Sequence, residues 1–101
     1  MKNMQEQDTD RLFEAILQIK DMDECRRFFE DLCTIQEIRS MAQRVEVALM
    51  LKRKLTYQEI AHKTGASTAT ISRVNRCLLY GADGYSKVLD RLPGEREKSD
   101  E

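Results

Sequence analysis

The sequence predicts an all-α protein of six helices, the fourth and fifth of which form a helix-turn-helix. Apolar residues recur at spacings of three and four along most of the chain, which is the period of a helix with one buried face. Only one proline and four glycines interrupt the 101 residues. Charged residues make up 35% and apolar residues 41%, which is typical of a globular protein rather than a disordered one.

Three helices are predicted in the N-terminal half of the chain. The first spans about 8–20 and the second about 22–33, with apolar faces formed by Leu12, Phe13, Ile16 and Leu17 and by Cys25, Phe28, Phe29 and Leu32. Thr34 and Glu37 form a predicted capping box that opens the third helix. This helix ends in the basic residues 52–54, which suit the negative end of the helix dipole. Its apolar face comprises Ile35, Ile38, Met41, Ala42, Val45, Ala48 and Leu49.

The fourth and fifth helices have clear local boundaries. The residues TYQE at 56–59 form a second capping box, which opens a helix at Tyr57–Thr64. Gly65 follows, and glycine readily adopts the positive φ at which helices commonly end. Ser67 can then cap a fifth helix at Thr68–Tyr80.

A sixth helix is predicted over about 84–92, because Gly81 and Gly84 interrupt the fifth. It is expected to turn four apolar residues inward, namely Tyr85, Val88, Leu89 and Leu92. Pro93 and Gly94 end the fold. The chain is therefore predicted to form one helical domain over residues 1–94, followed by a disordered acidic tail at 95–101.

The two short helices match the spacing that a helix-turn-helix requires. Ala61 supplies a small residue where the second helix crosses the first, and Gly65 lies four residues later. Ile71 and Val74 are predicted to face the core, with Ile60 beside them. A helical hairpin that only packs can mimic this pattern, so the outward face of the fifth helix decides between the two interpretations.

Outward-facing residues of the fifth helix are short or basic, and no acidic residue occurs from 65 to 82. Short side chains let the backbone approach base edges, hydroxyls can donate or accept, and arginine can bind guanine or phosphate. A helix that only packs at a surface would more often carry pairs of Glu and Lys. The sequence therefore favours a DNA-binding domain with a helix-turn-helix at about 57–80. The residues predicted to contact double-stranded DNA are Gln58, Ser67, Thr68, Ala69, Thr70, Ser72, Arg73 and Arg76.

The net charge of −1 conceals an uneven distribution along the chain. Residues 1–43 carry six basic and ten acidic groups, whereas residues 44–76 carry seven basic and two acidic ones, a net charge of +5. A field of one sign over the helix-turn-helix would attract phosphate. On its own, the same distribution also fits a solvated surface.

Several other classes of protein are disfavoured. No run approaches the roughly 18 apolar residues of a membrane span, and the polar N-terminus lacks a signal-peptide core, which predicts a cytoplasmic protein without a membrane partner. Cys25, Cys33 and Cys77 form no CxxC pair, which favours buried reduced thiols over a metal site. His62 is the only histidine, and no glycine-rich phosphate loop is present, so no enzyme activity is predicted. The alternative function is a helical protein-interaction module with the same fold and no specific DNA target.

Two segments of the chain resemble the bacterial Trp repressor superfamily, in particular its Trp-repressor-related YerC/YecD branch. They are LCTIQEIRSMAQRVEVALML at 32–51 and LTYQEIAHKTGASTATISR at 55–73, and the similarity covers about residues 8–92. The resemblance implies a Trp-repressor-like fold in which the N-terminal helices of two chains intertwine in a homodimer. It also implies that each subunit's helix-turn-helix reads half of a palindromic operator.

The resemblance further implies a candidate effector pocket, with two departures from the family pattern. Four residues match positions that help to hold tryptophan in the Trp repressor, namely Thr34, Arg44, Thr70 and Arg73. Val74 stands where the Trp repressor has glycine, and Cys77 where it has a serine that contacts the ligand's amino group. Because an isopropyl group should fill the space that an indole ring needs, no cofactor is predicted and tryptophan is not expected to bind. The existence and identity of a small-molecule effector stay unknown.

A homodimer is also expected on physical grounds, since a chain of this length buries only a modest core alone. The first three helices carry more apolar surface than one short bundle needs, and a second chain would cover it. A two-fold axis would then place two reading helices about one DNA turn apart, ~34 Å. A monomeric bundle is the alternative. A small DNA-binding dimer acts most simply by occupying an operator, which predicts a repressor.

Overall fold

The computed structural model describes residues 4–94, and within that range it contains six helices and no strand. In chain order they are α1 (Met4–Ile16), α2 (Met22–Leu32), α3 (Ile35–Lys52), α4 (Tyr57–Thr64), α5 (Thr68–Tyr80) and α6 (Gly84–Leu89). The predicted all-α class and its six helices are confirmed. Among the described residues, no helix combines the length and the apolar composition needed to cross a membrane.

The chain divides into two compact units, Met1–Ile35 and Gln36–Glu101. The first contains α1 and α2, and the second contains almost all of α3 together with α4, α5 and α6. The assignment of residues 1–94 to a single domain stays a prediction. The predicted acidic tail at 95–101 lies outside the described residues.

The predicted bounds of α1 are wrong at both ends. The chain is already helical at Met4, and the helix ends at Ile16 rather than at residue 20. The polar residues 5–7 are good helix formers that carry no apolar marker, so the periodic pattern begins later than the helix does. The early end makes room for Asp21, whose side chain caps α2 by accepting a hydrogen bond from the backbone N–H of Glu24 (2.8 Å).

One apolar core organises the second unit. Its buried residues come from α3, α4, α5, α6 and the turn between α4 and α5: Val47, Ala48, Leu49, Ile60, Ala66, Ile71, Val74 and Leu89. Val47 is fully buried although it lies off the predicted apolar face of α3. Three consecutive residues of a helix are buried only where neighbours cover it on more than one side. The C-terminal half of α3 is therefore the support on which this unit packs.

Several apolar residues predicted to face inward are exposed in the single chain. Ile35 is 67% exposed, and Ala42 is exposed as well. Tyr85 and Leu89 of α6 face inward as predicted, but Val88 is 59% exposed, and Leu92, which lies after the helix, is 39% exposed. These residues have the spacing of an inward face, but spacing does not reveal whether the same chain supplies the surface that covers them.

The end of α3 falls within the predicted basic residues, and its geometry is unusual for a lysine. Lys54 adopts a positive φ of 69°, and the backbone N–H of Leu55 donates to the carbonyl of Met50 (3.1 Å). Glycine is the usual residue in this helix-ending arrangement. At the other end of α3, the capping box of Thr34 and Glu37 stays a prediction.

The last helix is three residues shorter than predicted. It ends at Leu89, and the backbone N–H of Leu92 donates to the carbonyl of Leu89 in a tighter turn (3.1 Å). Pro93 disfavours a helical conformation for the residue before it, which explains the early end. Asp90 forms an ion pair with Lys52, which joins the ends of α6 and α3.

Candidate nucleic-acid interface

The bounds of α4 and α5 are those predicted, and side-chain caps explain where both helices begin. The Thr56 hydroxyl accepts a hydrogen bond from the backbone N–H of Glu59 (3.1 Å) and caps α4. The Ser67 hydroxyl accepts one from the backbone N–H of Thr70 (3.1 Å) and caps α5. Both caps use first-turn N–H groups that have no partner within the helix. The predicted capping roles of Thr56 and Ser67 are therefore confirmed.

Gly65 forms the turn between α4 and α5. It lies in the left-handed region, with φ of 72° and ψ of 6°, as predicted. Its backbone N–H donates to the carbonyl of Ala61 (2.9 Å), which closes α4. The next residue, Ala66, is 5% exposed and belongs to the core, so the turn is anchored at the point where the chain changes direction.

We expect Gly65→Val to lower the free energy of unfolding by about 1–2 kcal/mol, because a β-branched residue is strained at positive φ. No atom lies within 4 Å of the position that a Cβ atom would take, so a clash contributes little. Gly65→Asn is the matched control, since asparagine tolerates this conformation better. Urea unfolding of both variants gives the comparison, and equal losses would contradict a penalty that arises from φ.

The inward face of α5 is buried, as predicted. Ile71 is 0% and Val74 is 1% exposed, and both pack in the core with Ile60 of α4. Ala61 is half-buried against the same core. The back of α5 is thus held by the second unit, which directs the opposite side of the helix to solvent.

The outward face of α5 carries most of the residues predicted to contact DNA. Seven of the eight are exposed, namely Gln58, Ser67, Thr68, Ala69, Ser72, Arg73 and Arg76. Thr70 is half-buried, and its hydroxyl accepts a hydrogen bond from the Ser67 hydroxyl (3.1 Å). Thr70 therefore supports the cap of α5. Contact of any of the eight with DNA stays a prediction.

The positive charge of the segment 44–76 is only partly at the surface. Four of its seven basic residues are exposed, namely Lys54, Lys63, Arg73 and Arg76. Arg44, Lys52 and Arg53 are half-buried, and Lys52 is paired with Asp90. Fewer cations are therefore available to phosphate than the sequence count indicates.

A cavity of about 210 Å³ lies between α3, α5 and α6. Its walls are Arg44, Arg73, Val74, Cys77 and Tyr85, the first four of which were predicted for an effector pocket. Of the other two predicted residues, Thr70 is absent from the described lining and Thr34 belongs to the first unit. The cavity is smaller than the roughly 300–1,000 Å³ of most small-molecule sites. Because Val74 forms only one wall, its isopropyl group does not fill this space by itself.

A larger apolar groove of about 530 Å³ adjoins this cavity and shares Cys77 and Tyr85 with it. The remaining walls are Val45, Gly81, Ala82, Gly84, Val88 and Leu89. Walls of this composition can receive an apolar surface, but they offer little that would orient a polar ligand.

The three cysteines are free thiols, and they differ in exposure. Cys25 and Cys33 are half-buried, whereas Cys77 is exposed, so the prediction of buried thiols is wrong for Cys77. Leu78, rather than Cys77, follows Val74 on the core-facing side of α5. Within residues 4–94, no three His, Cys, Asp or Glu side chains are grouped so that they could hold a metal ion.

Two features of the interface have no counterpart in the sequence patterns. Tyr85 lines the cavity, although its spacing identified it only as an inward apolar residue. The side-chain amide of Gln43 donates to the carbonyl of Thr64 at the end of α4 (3.3 Å). These two residues are 21 positions apart, and no local motif signals a hydrogen bond between them.

Most of the chain is similar to proteins of one family. The family described as Trp repressor protein matches residues 7–93. The uncharacterized protein YerC of Bacillus subtilis strain 168 is 63% identical over 83 residues, which are 82% of this chain and 80% of YerC. The crystal structure of a TrpR-like protein from Eubacterium eligens superposes with a TM-score of 0.83 at 61% identity, over 87% of this chain and 91% of that one. A candidate Trp repressor from Staphylococcus aureus superposes with a TM-score of 0.80 at 53% identity, over 82% and 83%.

Proposed function

Because the chain belongs to the Trp repressor family, we propose that it is a sequence-specific regulator that reads a palindromic operator in double-stranded DNA as a homodimer. Membership of this family supports a DNA-binding regulator in general. In the proposed mechanism, the protein acts in the cytoplasm as a repressor, because a small dimer that occupies an operator blocks access to it.

The observation that carries this proposal is the two-sided character of α5. One side is held in the core by Ile71 and Val74, which are 0% and 1% exposed. The other side presents Thr68, Ser72 and Arg76 to solvent. A helix that enters the major groove needs an exposed face without acidic residues, because carboxylates would repel the phosphates. A helix used only for packing has no such requirement.

The proposed contacts follow from the chemistry of this exposed face. Thr68 and Ala69 begin α5, and their small side chains allow the helix N-terminus to approach base edges. The Ser72 hydroxyl lies about one turn further along and can donate to or accept from a base. Arg73 and Arg76 can reach guanine or phosphate, which fixes the helix in its groove.

The proposed dimer accounts for apolar surface that the single chain leaves uncovered. Leu17 is 80% exposed in the first unit, and no residue of α2 is buried. In the second unit, Leu79 is 63% and Val88 is 59% exposed, and Val88 lines the apolar groove. A second copy of the chain would cover such residues, because exposed apolar surface often marks a protein–protein interface.

Selection of bound duplexes from a random pool is the direct test of the proposed function. We expect one enriched motif with two inverted half-sites about one helical turn apart, together with affinity that falls steeply with salt. A motif with a single half-site would contradict the proposal that the protein binds DNA as a dimer. No enrichment, combined with no dependence on salt, would favour a protein-interaction module instead.

Arg76→Ala should weaken binding to all duplexes and reduce the slope of log affinity against log salt by about 1, because one phosphate contact is lost. Arg91→Ala removes the same charge from an exposed position outside the helix-turn-helix and serves as the matched control. Titrations at several salt concentrations measure both slopes. If the two variants change the slope equally, Arg76 makes no specific phosphate contact.

Tryptophan should not bind to this protein at millimolar concentration. Val74 is 1% exposed, so its isopropyl group is fixed in the wall of the cavity, and Cys77 in the same wall offers no hydroxyl group to the amino group of a ligand. Isothermal titration calorimetry measures the binding directly, with the Trp repressor as a positive control. A saturable heat of binding, or a melting temperature that rises with tryptophan, would contradict this prediction and restore tryptophan as the effector.

A further inference from the structure

Thr64 is the centre of a hydrogen-bonded network at the turn of the helix-turn-helix. Its hydroxyl donates to the carbonyl of Ile60 (2.7 Å) and accepts from the backbone N–H of Ala66 (3.1 Å). Its carbonyl accepts from the side-chain amide of Gln43 (3.3 Å). Gln43 and Thr64 are both half-buried, so the network joins α3 to the end of α4 in a place that water reaches poorly.

The carbonyl of Thr64 needs a partner from outside its own helix. Thr64 is the last residue of α4, and the final four carbonyls of a helix have no N–H partner within it. Gly65 then turns the chain away from the helix axis. An unpaired carbonyl in a half-buried place costs free energy, and the amide of Gln43 supplies the missing donor.

This hydrogen bond adds a directional constraint that the core does not provide. Ile60, Ala66 and Ile71 hold α4 and α5 against α3 through apolar contacts, which depend little on direction. The hydrogen bond from Gln43 instead fixes the carbonyl oxygen of Thr64, at the end of α4, relative to α3. α5 begins at Thr68, four residues after Thr64. A displacement of the turn would therefore also displace the start of the proposed reading helix.

We propose that Gln43 is a positioning residue, which orients α5 for base reading through its hydrogen bond to Thr64 without touching DNA. This inference rests on the proposed DNA-reading function. Loss of the hydrogen bond should reduce discrimination between base pairs more than it reduces general affinity for DNA. A residue that only stabilises the fold would lower the melting temperature and leave discrimination in the folded protein unchanged.

The test compares Gln43→Met with Gln36→Met. Methionine is similar to glutamine in length but cannot donate a hydrogen bond, and Gln36 is an exposed glutamine on the same helix. Both variants are measured at a temperature at which circular dichroism shows them folded, on the selected operator and on a duplex with one altered base pair. Gln43→Met should reduce the ratio of the two affinities about two- to tenfold, the range of one hydrogen bond. Gln36→Met should leave the ratio unchanged.

Each outcome has a separate meaning. If the wild-type protein selects no duplex, the proposed function fails and the role of Gln43 in DNA reading fails with it. If the wild type selects an operator and folded Gln43→Met discriminates as well as the wild type does, only the role of Gln43 is overturned. Exchange of side-chain amide protons in the wild-type protein, followed by NMR, tests the hydrogen bond itself. Gln43 should exchange more slowly than Gln36, and equal rates would overturn the proposal whether or not the variant folds.

Discussion

Replacing Ile71 with alanine should lower the free energy of unfolding by about 2–5 kcal/mol. Ile71 is 0% exposed and packs in the core of the second unit, so the substitution removes apolar contacts and leaves a cavity. Domains are stable by only about 5–15 kcal/mol, so this loss is a large part of the total. Urea unfolding followed by circular dichroism measures it, at one protein concentration because the stability of a dimer depends on concentration.

Ser72→Ala is the matched control for this experiment. Ser72 follows Ile71 in the same helix and is exposed, and surface substitutions usually change stability by less than about 0.5 kcal/mol. A large loss for Ile71 beside a negligible one for Ser72 is the expected result. Similar losses in the two variants would mean that α5 does not have one buried side and one exposed side. The assignment of its exposed side as the DNA-reading face would then be contradicted.

The helix-turn-helix could be predicted closely from sequence because each of its boundaries has a local chemical cause. Thr56 and Ser67 cap the two helices through hydrogen bonds that span only three residues. Gly65 takes the left-handed conformation that glycine adopts most readily. Such markers involve residues within about one helical turn of each other. They therefore predict helix boundaries without any knowledge of tertiary contacts.

The helices without local markers were predicted less well. α1 begins among polar helix formers, so the apolar pattern predicts its start too late. Val88 of α6 and Leu92, which lies just after it, have the spacing of an inward face, yet they are exposed in the single chain. An apolar period identifies residues that favour burial, but it does not identify the partner surface, which can belong to another molecule.

The parts of the site that sequence did not show depend on contacts between distant residues. Val47 is fully buried because more than one side of α3 is covered, which a one-face pattern does not represent. The hydrogen bond from Gln43 to Thr64 joins residues 21 positions apart. Tyr85 reaches the cavity only because α6 packs near α3 and α5. Exposure of the face of α5 that is proposed to read DNA, by contrast, follows from helical periodicity alone.

Substituting Thr68 or Ser72 with alanine should change which sequences the protein prefers, by about 1–3 kcal/mol at each affected base pair. Both residues are exposed on α5, whereas Ile71 and Val74 of the same helix are buried. A lost hydroxyl removes a base contact, so the penalty should be confined to the base pairs that the hydroxyl touches. This differs from the effect expected for Arg76→Ala, which is spread evenly over all sequences.

Selection from a random duplex pool, carried out in parallel for each variant and the wild type, measures this change. Ser40→Ala is the control, because Ser40 is an exposed serine that belongs to α3 and not to the proposed reading helix. Its motif should match that of the wild type, whereas Thr68→Ala and Ser72→Ala should each relax a different position. If both of those variants select the wild-type motif, this face of α5 does not read bases. Sequence preference would then have to come from DNA shape or from other residues of the helix-turn-helix, such as Gln58.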